Sequence, residues 1–277
     1  MRRGLLLLIA MLLPLGALAA EPLETYNNRL FLPVTVNGQR ATALLDSAAE
    51  MTVLDDDFAA RLRLAATGSA TVHGSGAGTI AARFADHVAV EAVGVGLELR
   101  VAILDLGEIS GRLIGRPVEI ILGRDLFDNG RFRLDIAGGT IAIFEGAPRG
   151  VRLPLGSHRG TPSFPSSVEG HVPVVTTLDT GNGTGVMVGR AFALRTGLAA
   201  PDRIVARESG GGLGGARERD IVILRTLVIA GRIFRDVRAA IDPGETASDL
   251  NVGTAILRHF IITTDFAGEQ IWLEPIS

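Results

Sequence analysis

The 277-residue sequence carries 27 basic and 30 acidic side chains, a formal net charge of −3, and no cysteine. So balanced a charge excludes electrostatic binding of nucleic acid, and the missing cysteine excludes disulfides and a lipid anchor attached through a thiol. The length accommodates one large domain or two modest ones, with room for a sizeable core.

The chain opens with Arg2 and Arg3, an apolar run from Gly4 to Leu15, and the small-residue pattern Ala17-Leu18-Ala19. These features predict a signal peptide over residues 1–19 and an exported mature chain, periplasmic or secreted. The apolar run is shorter than the ~20 residues a membrane span needs, so no stable membrane insertion is expected after cleavage.

Beyond the leader, short β-like runs alternate with Gly, Asn-Gly and Pro signals. "FLPVTV", "TALLDS", "HVAVEAV", "ELRVAILDL", "RFRLDI" and "TIAIF" read as strands, and Asn37-Gly38 between the first two reads as a hairpin turn. "DDDFAARLRL" and "GRAFALRTGL" read as short helices, the first capped by Asp55. The expected class is all-β, with a few short helices.

The chain also reads twice. "FLPVTVNGQRATALLDSA" resembles "FPSSVEGHVPVVTTLDTG": strand, turn, strand, then an acidic motif. A helix-like segment follows in each half, then a glycine-rich stretch, "HGSGAG" or "SGGGLGG". Each half closes alike, "EIILGRDLFDNGRFRLDIAGG" matching "DLNVGTAILRHFIITTDFAGE". A Pro- and Gly-rich boundary gives an N-terminal lobe over 20–148 and a C-terminal lobe over 149–277, related by a pseudo-two-fold axis.

Asp46 and Asp179 each end an apolar strand, where a lone charge is costly to bury. Brought together at the axis, they cannot both ionise easily; one pKa rises and the pair shares a proton. The ionised member can deprotonate a water, and the protonated member can donate to a carbonyl oxygen. The neighbouring Ser47 and Thr180 offer hydroxyls that can tie the two loops together.

The paired "LLDSAAEMTVL" and "LDTGNGTGVMV", each followed by an apolar-apolar-Gly segment ("ILG", "NVG"), resemble aspartic proteases. More narrowly, the chain resembles bacterial retropepsin-like proteases with two repeats in one chain. The resemblance implies two pseudo-symmetric β-barrel-like lobes with a cleft between them, and Asp46 and Asp179 as the catalytic pair. It implies that Ser47, Ala48, Thr180 and Gly181 support the active loops. The candidate flaps are then His73, Gly74, Ser75 and Gly76 on one side and Gly210, Gly211, Gly212 and Gly214 on the other. The single tyrosine, Tyr26, lies outside both flaps, which favours the retropepsin-like over the pepsin-like branch. Ala48 departs from the pattern, standing where the motif has glycine.

Other chemistries fit less well. A phosphate cradle needs a strand–loop–helix context and a Lys, and the sequence has no lysine. The five histidines show no metal-ligand spacing, and "HGSGAG" lacks the spacing of a hydrolase nucleophile elbow. Asp55, Asp56 and Asp57 read as a solvated helix start, and Asp125 and Asp135 as turn or surface residues. The sequence therefore predicts a monomeric aspartic endopeptidase acting on a peptide or protein substrate, with no metal and no cofactor. The alternative is a catalytically weak or inactive peptide-binding protein of the same fold.

Overall fold

The computed structural model describes residues 20–276; the leader assigned to residues 1–19 lies outside them. Most of the described chain is β-strand, laid out as two eight-stranded sheets and a six-stranded sheet. The N-terminal sheet runs in the order Glu24–Tyr26, Arg29–Val36, Gln39–Leu45, Ile120–Leu122, Val53–Asp55, Val95–Leu104, Thr79–Ala92 and Gly68–His73. The C-terminal sheet repeats that order with Gly156–His158, Thr161–Val168, His171–Leu178, Leu250–Val252, Val186–Gly189, Arg232–Asp242, Gly215–Ile229 and Ile204–Gly212. In each, the second strand also pairs with the long seventh, rolling the sheet towards a barrel. The fold is thus all-β with two pseudo-symmetric lobes and few, short helices.

The third sheet joins the lobes. Arg131–Asp135 pairs antiparallel with Phe260–Asp265, and each half adds its own outer strands. The central register pair is Arg133↔Thr263, which are equivalent positions of the two lobes, so the pseudo-two-fold axis passes between them.

Local chemistry explains the elements. Asn37 and Gly38 both have positive φ (48° and 79°), the geometry of a tight primed hairpin turn. Glu169 and Gly170 repeat it in the other lobe, at 47° and 84°. Asp55 caps the helix Asp56–Arg61 by accepting from the Asp57 N–H at 3.1 Å, and that helix buries Phe58 and Ala59. Its counterpart Arg190–Arg195 buries Phe192 and Ala193 without a side-chain cap. Each lobe is filled from the inward face of its strands, with Leu45, Leu54, Ile120 and Leu122 buried in one and Leu178, Val188, Leu250 and Val252 in the other. Burying each such side chain contributes about 2 kcal/mol.

One feature of the topology positions the acidic residues. Gln39–Leu45 pairs parallel with Ile120–Leu122, and His171–Leu178 pairs parallel with Leu250–Val252. The ladder extends one residue further in each lobe: the Asp46 N–H donates to Leu122 O at 2.9 Å, and the Asp179 N–H donates to Val252 O at 3.1 Å. Both aspartates therefore leave their sheets at equivalent points.

Asp125 is more than a turn residue. Its carboxylate accepts from the Thr52 N–H at 2.5 Å, bracing the chain that leaves the first acidic loop. Asp135 does hold a turn, accepting from the Gly138 N–H at 2.7 Å. Among the described residues no helix is long and apolar enough to cross a membrane.

Candidate active site

The two acidic loops meet between the lobes and are locked by four reciprocal hydrogen bonds. The Ser47 N–H donates to Thr180 Oγ1 at 2.9 Å, and that hydroxyl donates to Leu45 O at 3.0 Å. The Thr180 N–H donates to Ser47 Oγ at 3.1 Å, and that hydroxyl donates to Leu178 O at 2.9 Å. Both side chains are fully buried. Each hydroxyl thus makes both its bonds to the opposite lobe, accepting from the N–H next to that lobe's aspartate and donating into the strand that carries it, so Asp46 and Asp179 are held in register with each other.

Each carboxylate folds back onto its own loop. Asp46 Oδ1 accepts from the Ala48 and Ala49 N–H groups at 2.9 and 3.1 Å, and Asp179 Oδ1 accepts from the Asn182 N–H at 2.9 Å. The glycine pattern has a steric reason. A Cβ at Gly181 would run into the Asp46 carboxyl group. Ala48 carries that methyl at the equivalent place on the other side. Neither residue has positive φ, so Ala48 carries no backbone strain.

The two aspartates have unlike surroundings. Asn251 donates to Asp179 Oδ2 at 2.8 Å, and Asn182 donates to Asn251 Oδ1 at 2.7 Å. In the N-terminal lobe the matching positions are Ile121 and Ala49, which are apolar. Burial pushes the Asp46 carboxyl up to about 7, with the neighbouring Asp179 charge adding to the rise. Burial also raises Asp179, opposed by the Asn251 amide and the loop N–H groups.

Sequence reasoning missed Arg29, whose only signal is a basic residue opening an apolar strand. The residue is 9 % exposed, and its guanidinium donates to Asn27 O at 3.2 Å. It packs over Gly183, where a Cβ would meet it, and its charge favours the ionised form of both aspartates. Asn251 was also missed; the signal is the polar residue inside "LNVG", where the other half has "IILG".

The two glycine-rich segments form facing hairpins. Strand Gly68–His73 turns through Gly74, Ser75 and Gly76 into Thr79–Ala92, with His73 exposed at its base. Gly210, Gly211 and Gly212 belong to strand Ile204–Gly212, so the second turn is only Leu213 and Gly214. The tips touch: the Gly76 N–H donates to Leu213 O and the Gly78 N–H to Gly214 O, each at 2.8 Å. A Cβ at Gly74 or Gly76 would collide with the opposite tip, so glycine allows this approach. Arg112 adds a tie between lobes, donating to Gly210 O at 3.3 Å and Gly212 O at 3.1 Å.

Among the described residues no group of three or more His, Asp or Glu side chains is placed to hold a metal ion. A half-buried carboxyl pair with split environments, clamped by hydroxyls at a lobe junction, can hold one proton and polarise a water. No curated protein matches the chain. Residues 32–126, which include the first acidic loop and the first hairpin, match the family model described as "Aspartyl protease", and that match supports a peptide-hydrolase function at a coarse level.

Proposed function

We propose that the protein is an exported aspartic endopeptidase, periplasmic or secreted, that hydrolyses peptide bonds with a water activated between Asp46 and Asp179. The observation that carries this reading is the reciprocal Ser47–Thr180 lock, which fixes two half-buried carboxyls at equivalent strand ends. One chain supplies both aspartates, so a monomer suffices, and the chemistry calls for no metal or cofactor.

The steps follow from the asymmetry of the pair. Asp179, with the extra Asn251 donor, holds the negative charge and takes a proton from the water. Asp46, desolvated and without such a donor, holds the proton and donates it to the substrate carbonyl oxygen. Water attacks the carbonyl carbon. The tetrahedral intermediate then collapses as the proton on Asp179 passes to the leaving amine, and Asp46 recovers its own. The hairpins would close over an extended peptide and exclude bulk water.

One observation favours a second reading, a peptide-binding protein with weak or no turnover. The Ala48 methyl occupies the place where glycine clears the opposite carboxyl group. A mixed peptide library assayed from pH 3 to 8 separates the two. Cleavage by the wild type that disappears in both Asp46→Asn and Asp179→Asn supports the endopeptidase, and a several-fold gain in Ala48→Gly measures the effect of the methyl. Peptide binding without cleavage at any pH, in wild type and Ala48→Gly alike, supports the binding protein. Cleavage persisting in both Asn variants would overturn the mechanism.

A further inference from the structure

The two walls of the cleft are built at equivalent positions from opposite chemistries. Val53↔Ile121 in one lobe corresponds to Met187↔Asn251 in the other, and the sheet registers carry the equivalence outward. Phe84 pairs with Ala102 as Ile221 pairs with Ala240, so Ala82 corresponds to Arg219 and Ile80 to Arg217. Val72, cross-strand from Ile80, corresponds to Gly210, cross-strand from Arg217.

On the N-terminal side these positions form one apolar surface. Ala82, Ile80 and Val72 pack in a cluster with Ile121 and Ala49 beside Asp46, and Leu213 from the opposite hairpin tip packs into it. On the C-terminal side Asn251 lies beside Asp179, and Arg219 and Arg217 stand under the hairpin. Strand Gly215–Ile229 alternates, with Arg219 and Ile221 inward and Glu218 exposed. Gly210 leaves room: a Cβ there would sit 3.0 Å from Arg219 Nη1.

Arg219 is only 7 % exposed, and its buried Nε has no hydrogen-bond partner. Among the described residues neither Arg217 nor Arg219 is in an ion pair; Glu208, directly cross-strand from Arg219, is paired with Arg238, and Asp220 on the other face is paired with Arg207. Arg112 reaches the same hairpin but is already paired with Glu108. The opposing charge that acts on Arg219, Asp242, accepts from the Gly244 N–H. A guanidinium taken out of water with an unmet donor is costly, and an incoming carboxylate would offset that cost through charge-assisted hydrogen bonds.

We propose that the pocket under the C-terminal hairpin, at Arg219 and Arg217, receives an aspartate or glutamate side chain of the substrate, while the equivalent pocket at Val72, Ile80 and Ala82 receives an apolar one. A peptide extended across the pseudo-two-fold axis presents residues on opposite sides of the scissile bond to equivalent pockets. The substrate class is therefore a peptide with an acidic residue on one side of the cut and an apolar residue on the other. This rests on the endopeptidase reading.

The test uses the mature chain and a mixed octapeptide library, followed by peptide pairs that differ only by Glu or Gln at one position. Cleavage sites are read by mass spectrometry. In parallel, binding of the pairs to Asp179→Asn protein is read by calorimetry. The expected result is a preference for Glu over Gln of about tenfold or more in kcat/KM or Kd at one fixed position, the scale of a charge-assisted contact. Arg219→Met should bring that ratio near one, Arg219→Lys should keep part of it, and Arg217→Met should reduce it. Thermal unfolding of each variant identifies any that fail to fold, and Arg217→Met or Arg219→Lys then serves in place of Arg219→Met. Cleavage with no acidic preference, or a preference untouched by every arginine variant, overturns the pocket and leaves the endopeptidase standing. A Glu preference in binding without cleavage upholds the pocket and removes the endopeptidase. Neither cleavage nor binding overturns both.

Discussion

Asn251 donates its side-chain amide to Asp179 Oδ2 at 2.8 Å, while the equivalent position beside Asp46 is Ile121. The orientation of that amide is fixed from the backbone outward. The Thr184 N–H donates to Asn182 Oδ1 at 2.9 Å, so Asn182 presents its amino group to Asn251 Oδ1, and Asn251 must present its own to Asp179. A donor aimed at one carboxylate stabilises its charged form, and a pair that shares one proton then places that proton on the other.

Asn251→Leu should therefore weaken the distinction between the two aspartates. With its donor gone, Asp179 ionises at higher pH, so the acid limb of the kcat/KM profile should move up by about one pH unit, the worth of one such hydrogen bond. Thr184→Val removes the hydroxyl that donates to Asn182 Oδ1 at 2.6 Å but keeps the backbone N–H, so Asn182 is held less firmly and the limb should shift in the same direction by less. An acid limb that stays in place in Asn251→Leu would show that Asn251 has no influence on the proton's position.

The raised carboxyl of Asp46 also makes a stability prediction. Its folded-state value of about 7 lies above the ordinary 3.8, so between those pH values the folded chain holds a proton that the unfolded chain has released. The contribution is fully present below about pH 4 and is lost as pH rises through 7. Asp46→Asn removes this dependence. It should be close to neutral at pH 4 and stabilising at pH 8, by roughly 4 kcal/mol if the whole shift is expressed. Urea unfolding at the two pH values measures the difference, and an equal effect at both would contradict it.

The hydroxyl lock should tolerate only a hydroxyl. Thr180→Ala removes the acceptor for the Ser47 N–H and the donor to Leu45 O, leaving both buried groups unpaired. The expected loss is about 2–4 kcal/mol of stability, from two unmet buried groups, with cleavage reduced well beyond tenfold because the carboxyls lose their mutual register. Thr180→Ser keeps both bonds and should keep most of the activity. Chemical denaturation and kcat measured on the two variants check this, and equal behaviour of Ala and Ser would exclude the lock.

Much of this was legible before any coordinates. Strand runs such as Phe31–Val36, the Asn37-Gly38 turn and the Asp55 cap follow local rules, and the internal repeat carried the strand order from one half to the other. The approach of Asp46 to Asp179 was inferred from symmetry and the lock from the chemistry of Ser47 and Thr180. Arg29, Asn251 and Arg219 were missed, because a basic residue opening a strand or a polar residue inside "LNVG" says little until its partner is known. What singles out the first two is a neighbour far along the chain, Gly183 for Arg29 and Asp179 for Asn251, and what singles out Arg219 is its burial beneath Gly210 of the same hairpin. The role of Asp125 was hidden for the same reason, since its partner Thr52 lies in another segment.

The last prediction concerns the hairpins. Their tips are joined by two backbone hydrogen bonds, Gly76 to Leu213 and Gly78 to Gly214, and Arg112 anchors the C-terminal hairpin through Gly210 O and Gly212 O. If the protein is the proposed endopeptidase, its substrate passes beneath them, so the joined tips have to open, and glycine-rich backbone with few packed side chains is suited to that motion. Arg112→Ala removes two charge-assisted bonds to the C-terminal hairpin while touching neither aspartate. Opening should become easier and closure weaker, so KM should rise about fivefold to twentyfold with a smaller change in kcat. Amide hydrogen exchange should quicken at Gly210–Gly215 and stay unchanged along Leu250–Val252 below the dyad. A variant with unaltered exchange at the hairpin and unaltered KM would show that Arg112 does not hold it.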